Sequence, residues 1–438
     1  MKNTTLYKQF LSAVNTLNPH RRPMSVALSG GVDSVVLLHL CHTLCAQQTD
    51  LRIEAIYIDH GLSADSKAWQ QFCERLCQTL HVEFKTTSVV IEQKARHSLE
   101  SQARDARYAA LDKLAHEDSL LVLGQHGDDQ LETFLLRLKR GSGLSGLASM
   151  RQSAELESGR QCIRPLLSVS RQDIEAFART FAISHIEDYS NQDDRFDRNF
   201  LRNQVLPLLK SRFKGFLSSA LRSIELLQQQ QLLIDEITAQ DLQLCQTAER
   251  TLNLVALSKL SQARQANVVR AWLQSHSMNM PSKVVLEQLL HQAFTSKQDA
   301  QLSIVMGQAE VKRYRQHLYL VTPKITPQSQ VITGLNCVAI DDLQMLKAIF
   351  GPGVRLPTEN EQVSVVFGRM SDKIRPLNKP GRNTLKHWLK EAGVPSWQRA
   401  HVPLIYYNEQ LVQVVGFYLE HTLYEPQQGI QWEVTRSE

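Results

Sequence analysis

Paired thiols are missing from this chain: its seven cysteines include no Cys-X-X-Cys. That argues against a cysteine-built zinc site. An odd, scattered set instead fits reduced thiols in a cytoplasm. Cys41 and Cys45, and again Cys73 and Cys77, are four apart, so each pair shares a helix face and reads as inert core. Long apolar runs are missing too, and no stretch is long enough to span a membrane. Met1 to Gln9 is polar, so no N-terminal signal is expected. Neither GxxxxGK[ST] nor GxGxxG occurs, which removes the commonest phosphate-binding loops. Nor is one sign of charge in large excess. A net charge of +5 and a pI near 8.7 fit a nucleic-acid partner without demanding one. At 438 residues the chain is too long for one ordinary core, and two or three domains are expected.

What is present begins with Ser29-Gly30-Gly31-Val32-Asp33-Ser34. It follows an apolar run, Met24 to Leu28, that reads as a buried strand, and precedes the apolar helix opening of Val35 to Leu40. A strand, a glycine turn and a helix N-terminus make an anion site, because the turn amides and the helix dipole favour negative charge. Adjacent glycines let the backbone approach a phosphate closely. Ser29 and Ser34 add hydroxyls, and Asp33 suits a magnesium ion. SGGVDS resembles the PP-loop of the ATP pyrophosphatases, which implies ATP as the nucleotide, with Ser29, Gly30, Gly31, Val32, Asp33 and Ser34 as its binding turn.

Residues 1–215 alternate apolar strands with amphipathic helices. Strands are expected at 51–59, 82–90 and 120–124, and helices at 64–80, 99–116 and 128–140. This predicts an α/β fold, a doubly wound and mostly parallel sheet covered on both faces, with ligands beyond the C-terminal strand ends. A glutamine- and leucine-rich helix from Phe216 to Leu244 opens a second, small α+β domain over 216–322. Residues 322–334 read as a linker. A third α+β domain over 335–438 has strands at 363–367, 404–407 and 411–418 and a helix at 383–392.

Several polar segments fall at the same sheet edge. Ile58-Asp59-His60-Gly61-Leu62 ends the second strand, and Gly124-Gln125-His126-Gly127-Asp128-Asp129-Gln130-Leu131-Glu132-Thr133 ends the fourth. Asp128 and Asp129 suit the first turn of a helix. Together with His126 and Glu132 they also suit holding magnesium, or binding and orienting an amine. Arg140 to Leu147 is a glycine-rich loop fit to close over substrates. Arg104, Arg107, Arg140, Arg198 and Arg202 offer charge to phosphates. In the last domain Lys373, Arg375, Lys379, Arg382, Lys386 and Lys390 crowd together, with Trp388 and Trp397 among them. Arg264, Arg270, Lys312, Arg313 and Arg315 are weaker candidates of the same kind in the middle domain.

Taken in order, SGGVDS, DHGLS, GQHGDDQLET, KRGSGLSGL, IRPLL and IEDYSNQDDRFDRNFLR resemble the tRNA(Ile)-lysidine synthetase family in its long bacterial form. The second strand ends Asp59-His60 where many relatives have His-His. The resemblance implies a cytoplasmic ligase that uses ATP and Mg2+ to adenylate the C2 oxygen of the wobble cytidine in a minor isoleucine tRNA (CAU anticodon). The ε-amine of free L-lysine then displaces AMP. It further implies catalytic roles for Asp33, His126, Asp129, Glu132 and Arg202, metal binding by Asp33 and Asp128, and tRNA contacts by Arg198, Arg375, Lys379, Arg382 and Lys386. No membrane is involved, and a homodimer is compatible with it. Because free lysine's ε-amine has a pKa of about 10.4, a carboxylate is needed to bind and deprotonate it. Asp129 is the first choice and Glu132 the second. Sulfur-inserting relatives use the paired Cys-X-X-Cys that is absent here. Glutaminase-coupled synthetases use an N-terminal cysteine, where this chain starts Met1-Lys2-Asn3. A non-catalytic RNA-binding protein is the remaining alternative, and the intact Ser29, Asp33, Ser34, Asp128 and Asp129 argue against it.

Overall fold

The computed structural model describes residues 1–48, 50–59, 61, 65–89, 99–295, 302–333, 337–341 and 344–436. The contacts divide the chain into two compact units, Met1–Ile237 and Thr238–Glu438.

The first unit opens with helix α1 (Thr5–Leu17), capped by the Thr4 hydroxyl. A six-stranded sheet follows in the order β3-β2-β1-β4-β6-β5, formed by β1 (Met24–Ala27), β2 (Ile53–Asp59), β3 (Glu83–Ser88), β4 (Leu120–Val122), β5 (Ser153–Glu155) and β6 (Gln161–Ile163). All neighbours are parallel except β5 and β6. The central strands β1 and β4 are buried along almost their whole length, as expected where helices cover both faces. Edge strand β3 is exposed or half-buried throughout. The connecting helices are α2 (Val32–Cys45), α3 (Ser66–Leu80), α4 (Leu99–Leu114) and α5 (Gly127–Lys139), with a single turn α6 (Leu144–Leu147) and then α7 (Arg171–Thr180). Helix α2 is apolar on nearly every side, and Val35, Val36, Leu37, Leu38, Leu40 and Cys41 are all fully buried. The four helical cysteines are core as their spacing predicts. Burial pushes the Cys73 and Cys77 thiols up to about 12 and Cys45 to about 11, far from a reactive range. The antiparallel strand β5 is not visible in the sequence, since Ser153-Ala154-Glu155 carries no apolar run, unlike the equally short Leu120-Leu121-Val122 of β4.

Three short pieces follow: α8 (Asp197–Phe200), a π-helical turn (Leu201–Val205) and α9 (Leu206–Arg212). Helix α10 then runs from Phe216 to Cys245. The unit boundary falls inside α10 rather than at the expected 215/216. The reason is that Gln228 donates to the carbonyls of Ala148 and Met150, and Asp235 pairs with Arg151, tying its first half to the first unit.

In the second unit a four-stranded sheet (strands Leu252–Asn253, His317–Val321, Ala309–Tyr314 and Ser303–Met306 in spatial order) packs with helices Gln262–Ser275 and Lys283–Thr295 around Trp272. The expected linker is only partly one. Gln330–Val331 pairs with Val363–Val366 in a five-stranded sheet, and Ile332 is buried in its core. The strands Gln344–Val354 and Tyr424–Arg436 pair over their length, which the sequence reading did not find. Gly351-Pro352-Gly353 interrupts the alternation. Gly353 is also a close approach, since a Cβ there would lie 2.2 Å from the Ile430 carbonyl oxygen. Trp397 meets Tyr319 at 5.4 Å and Tyr314 at 6.1 Å between ring centres, with the Lys312 ammonium over its face. The middle and last parts of this unit are therefore joined by an aromatic contact as well as by the chain. Among the described residues, no helix is long and apolar enough to cross a membrane.

Candidate active site

The turn after β1 is closed by its own side chains. Ser34 Oγ donates to the Gly31 carbonyl at 2.9 Å and lies 3.1 Å from both the amide and the hydroxyl of Ser29. Gly31 is the N-cap of α2, and no side chain caps that helix. Its first-turn N–H groups are left to serve an anion. Gly30 adopts φ +86°, and a Cβ there would stand 2.5 Å from Ile186 Cδ1. Ile186 also donates its N–H to the Gly30 carbonyl at 2.9 Å, so the segment before the Asp/Asn/Arg-rich stretch forms a wall of the turn. Gly124, at the end of β4, lets that strand pass the Asp33 main chain, where a Cβ would come within 3.3 Å.

At the neighbouring strand end His126 is the N-cap of α5. Its Nδ1 accepts from the Asp129 N–H, and its own N–H donates to Asp129 Oδ2 at 3.1 Å, a reciprocal capping box. With Nδ1 accepting, Nε2 is the nitrogen that carries a proton. Nε2 lies 3.5 Å from Asp33 Oδ1 and 3.4 Å from Asp129 Oδ2, so a buried imidazole stands between the two carboxylates without hydrogen-bonding Asp33 Oδ1. Burial pushes the Asp33 carboxyl up, an effect opposed by His126 and Arg171. Burial acts upward on Asp129 too, but His126, Arg198 and Arg202 outweigh it and hold that carboxyl below the usual range.

Glu132, one turn along α5, is fully buried. Arg198 Nε donates to its Oε2 at 2.8 Å, and Arg202 donates Nε to Oε1 at 2.7 Å and Nη2 to Oε2 at 2.9 Å. Arg202 Nη2 also reaches Asp129 Oδ1 at 3.0 Å. Burial disfavours the Arg202 charge, but Glu132 and Asp129 together raise its pKa above the ordinary value. Arg202 sits in the π-helical turn, a distortion common at functional sites. Nearby, the Arg104 and Arg107 guanidiniums lie over the Tyr108 ring, 5.3 and 5.9 Å from its centre. Burial and the charges of Arg104 and Arg198 lower the Arg107 pKa. The glycine-rich loop is stitched to α5, because Arg137 Nη1 donates to the Gly146 carbonyl at 2.7 Å.

Most residues singled out from the sequence converge here: Ser29 to Ser34, His126, Asp129, Glu132, Arg198 and Arg202. Asp128 does not join them. Its Oδ1 pairs with Lys210 and its Oδ2 accepts the Arg171 N–H at 2.9 Å, so both oxygens are spent anchoring α9 and α7. Arg198, expected on tRNA, is engaged by Glu132 and Asp129. Asp59 Oδ1 accepts the Gly61 N–H and its Oδ2 the Ser66 hydroxyl, shaping the entry to α3. His60 and Leu62 to Ala64 lie outside the described residues. One residue beside the site was missed: Arg171, which pairs with Asp33. Arg171 looks like an ordinary helix start, with Ser170 and Asp173 forming its cap.

The fit to a divalent cation rests on Asp33, whose Oδ1 is buried without a hydrogen-bond partner. Among the described residues no group of three or more His, Cys, Asp or Glu is placed to hold a metal. A hard cation here would take its remaining ligands from phosphate and water, the usual habit of magnesium.

In the second unit Arg375, Arg382 and Lys386 are exposed around the small sheet Lys373–Ile374/Asn383–Thr384 and the helix Leu385–Glu391. Lys379 is half-buried, pairs with Glu391 at 2.5 Å and lies over Trp388. Trp388 is core and donates its indole N–H to the Ile374 carbonyl. Arg264, half-exposed, is engaged by the buried Asp241.

Known protein families match three stretches of the chain. Residues 2–209 match a PP-loop domain, 252–319 a TilS substrate binding domain and 363–434 a TilS substrate C-terminal domain. The tRNA(Ile)-lysidine synthase of Yersinia pseudotuberculosis is 38% identical over 419 residues, covering 91% of this chain and 92% of that one. That of Pectobacterium atrosepticum is 38% identical over 420 residues, covering 93% and 94%. The Shigella flexneri protein of the same name is 36% identical over 441 residues, covering 99% of each. Identity at this level, sustained from the phosphate turn to the last β-sheet, means that the chain belongs to the tRNA(Ile)-lysidine synthase family.

Proposed function

We propose that this chain uses ATP to join free lysine to C2 of the wobble cytidine in a minor isoleucine tRNA with a CAU anticodon. The observation that carries the reading is the junction of two unlike devices at one sheet edge. One is a glycine turn built to grip an anion. The other is a carboxylate cluster, Asp129 and Glu132, locked by two arginines.

The chemistry divides between them. The C2 oxygen of cytidine is a poor leaving group and must first become a phosphoester. Its oxygen attacks the α-phosphorus in line, and the α–β bond breaks to release pyrophosphate. Ser29, Ser34 and the α2 amides hold that departing charge, supplemented by Arg107. Asp33, through Oδ1, would hold magnesium, which neutralises phosphate charge when bound. In the second step the lysine nitrogen forms a bond to C2, and the C2–O bond breaks with AMP leaving. Asp129, kept ionised by His126, Arg198 and Arg202, grips the ε-ammonium and takes one proton, which frees the nitrogen lone pair to attack C2; the second N–H proton goes to water as AMP leaves. Glu132 holds both arginines in place. The exposed cations Arg375, Arg382 and Lys386, with Lys379 beside them, give the last domain a surface for tRNA phosphates.

The test is AMP formation by the purified full chain with ATP, unmodified isoleucine tRNA carrying CAU, and lysine. AMP release that requires both lysine and this tRNA supports the reading. AMP release independent of lysine overturns it.

A further inference from the structure

Arg171 is bound at both ends in different ways. Its backbone N–H is fixed by Asp128 Oδ2, which is in turn anchored through Lys210. Ser170 caps the same helix turn by accepting the Asp173 N–H. The guanidinium end is shared between two carboxylates. Nη1 pairs with Asp33 Oδ2, and Nε donates to Glu175 Oε1 at 2.8 Å, one turn further along α7. The side chain is 37% exposed, so its tip has room to turn. Asp33 meanwhile keeps its other oxygen buried and without a hydrogen bond, with His126 Nε2 at 3.5 Å.

We propose that Arg171 exchanges with a divalent cation for Asp33 and then directs its guanidinium to the nucleotide phosphates. The inference rests on the assignment of metal and ATP to Asp33 made above. A dication on Asp33 and a guanidinium on the same carboxylate repel one another, and the more weakly tethered of the two moves. Arg171 does not drift free when displaced, because Glu175 retains Nε. The fork is thereby kept beside the PP-loop, where phosphate oxygens offer it bidentate acceptors. Arg171 is therefore a positioning residue with two opposed effects: it weakens metal binding at Asp33 and strengthens nucleotide binding.

The test is Mn2+ titration of the full chain, following free Mn2+ by electron paramagnetic resonance, without nucleotide and with α,β-methylene ATP. Wild type, Arg171→Gln, Arg171→Lys and Asp33→Asn are compared, each checked for a native melting profile. Arg171→Gln should bind Mn2+ about two- to fivefold more tightly than wild type without nucleotide, the range of a half-exposed ion pair. With saturating Mn2+ it should bind the analogue about tenfold more weakly, and Arg171→Lys should fall between. Should Arg171→Gln fail to fold, Arg171→Lys alone must show the weaker analogue binding. Unchanged Mn2+ and analogue affinities in a folded Arg171 variant overturn the exchange while leaving the site assignment intact, provided that Asp33→Asn loses Mn2+. If Asp33→Asn binds Mn2+ as wild type does, the assignment of metal to Asp33 fails, and the exchange with it.

Discussion

Glu132→Gln is the sharpest probe of the carboxylate cluster. The substitution keeps shape and volume but removes a charge that three N–H donors share: Arg198 Nε, Arg202 Nε and Arg202 Nη2. Glutamine offers one oxygen, which at the former Oε2 position accepts from Arg198 Nε and Arg202 Nη2. Its amide NH2 then faces Arg202 Nε, so one charge-assisted hydrogen bond becomes a donor–donor contact between a guanidinium and an amide. Such a bond is worth about 1.5–3 kcal/mol. The Arg202 guanidinium is only partly shielded, with 35% of its side chain exposed, so water recovers part of the loss. A net cost of about 1–2 kcal/mol results. For a unit of this size that lowers the unfolding midpoint by roughly 2–8 °C. Calorimetry of the whole chain reads the shift, and lysine-dependent turnover reads the function. KM for lysine should rise, because Arg202 no longer holds Asp129 in place, while pyrophosphate release stays near wild type. A midpoint within about 1 °C of wild type, together with an unchanged lysine KM, would refute the reasoning.

Two further outcomes follow from the geometry. Gly30→Ala should cost about 1–2 kcal/mol from its positive φ, with little added by Ile186, whose Cδ1 ends a half-buried side chain that can turn aside. Adding Ile186→Val, which removes Cδ1, should therefore not rescue the loss, as urea unfolding of the single and double variants will read. The triple variant Arg375→Ala, Arg382→Ala, Lys386→Ala should bind tRNA more weakly and flatten the dependence of log Kd on log salt by about 2–3, one phosphate per cation. An unchanged salt slope would remove those three residues from the RNA surface.

The parts of the fold with a strong local pattern were legible. SGGVDS between two apolar runs marks a strand, a turn and a buried helix without any tertiary information. Apolar strands separated by amphipathic helices give the parallel sheet. The elements that escaped are those whose signal is non-local. β5 carries no apolar run, and the pairing of Gln344–Val354 with Tyr424–Arg436 spans some seventy residues and is broken by Gly351-Pro352-Gly353. The same holds at the site. His126, Asp129 and Glu132 lie within one motif and were read together. Arg171 reaches Asp33 across 138 residues of chain, and nothing in its own helix betrays the contact. Asp128 shows the converse limit. A carboxylate next to Asp129 in sequence looks equivalent to it, yet adjacent residues on a helix face different ways, and Asp128 meets Lys210 and α7.

The central claim is that one sheet edge runs two steps with separate tools, the glycine turn for pyrophosphate and the acidic end of β4 for lysine. Asp129→Asn tests it most directly when pyrophosphate release and incorporation of labelled lysine into tRNA are measured on the same preparation. The account predicts that pyrophosphate release is retained while lysine incorporation is lost, with adenylated tRNA accumulating. Equal loss of both would contradict it and move Asp129 to the nucleotide.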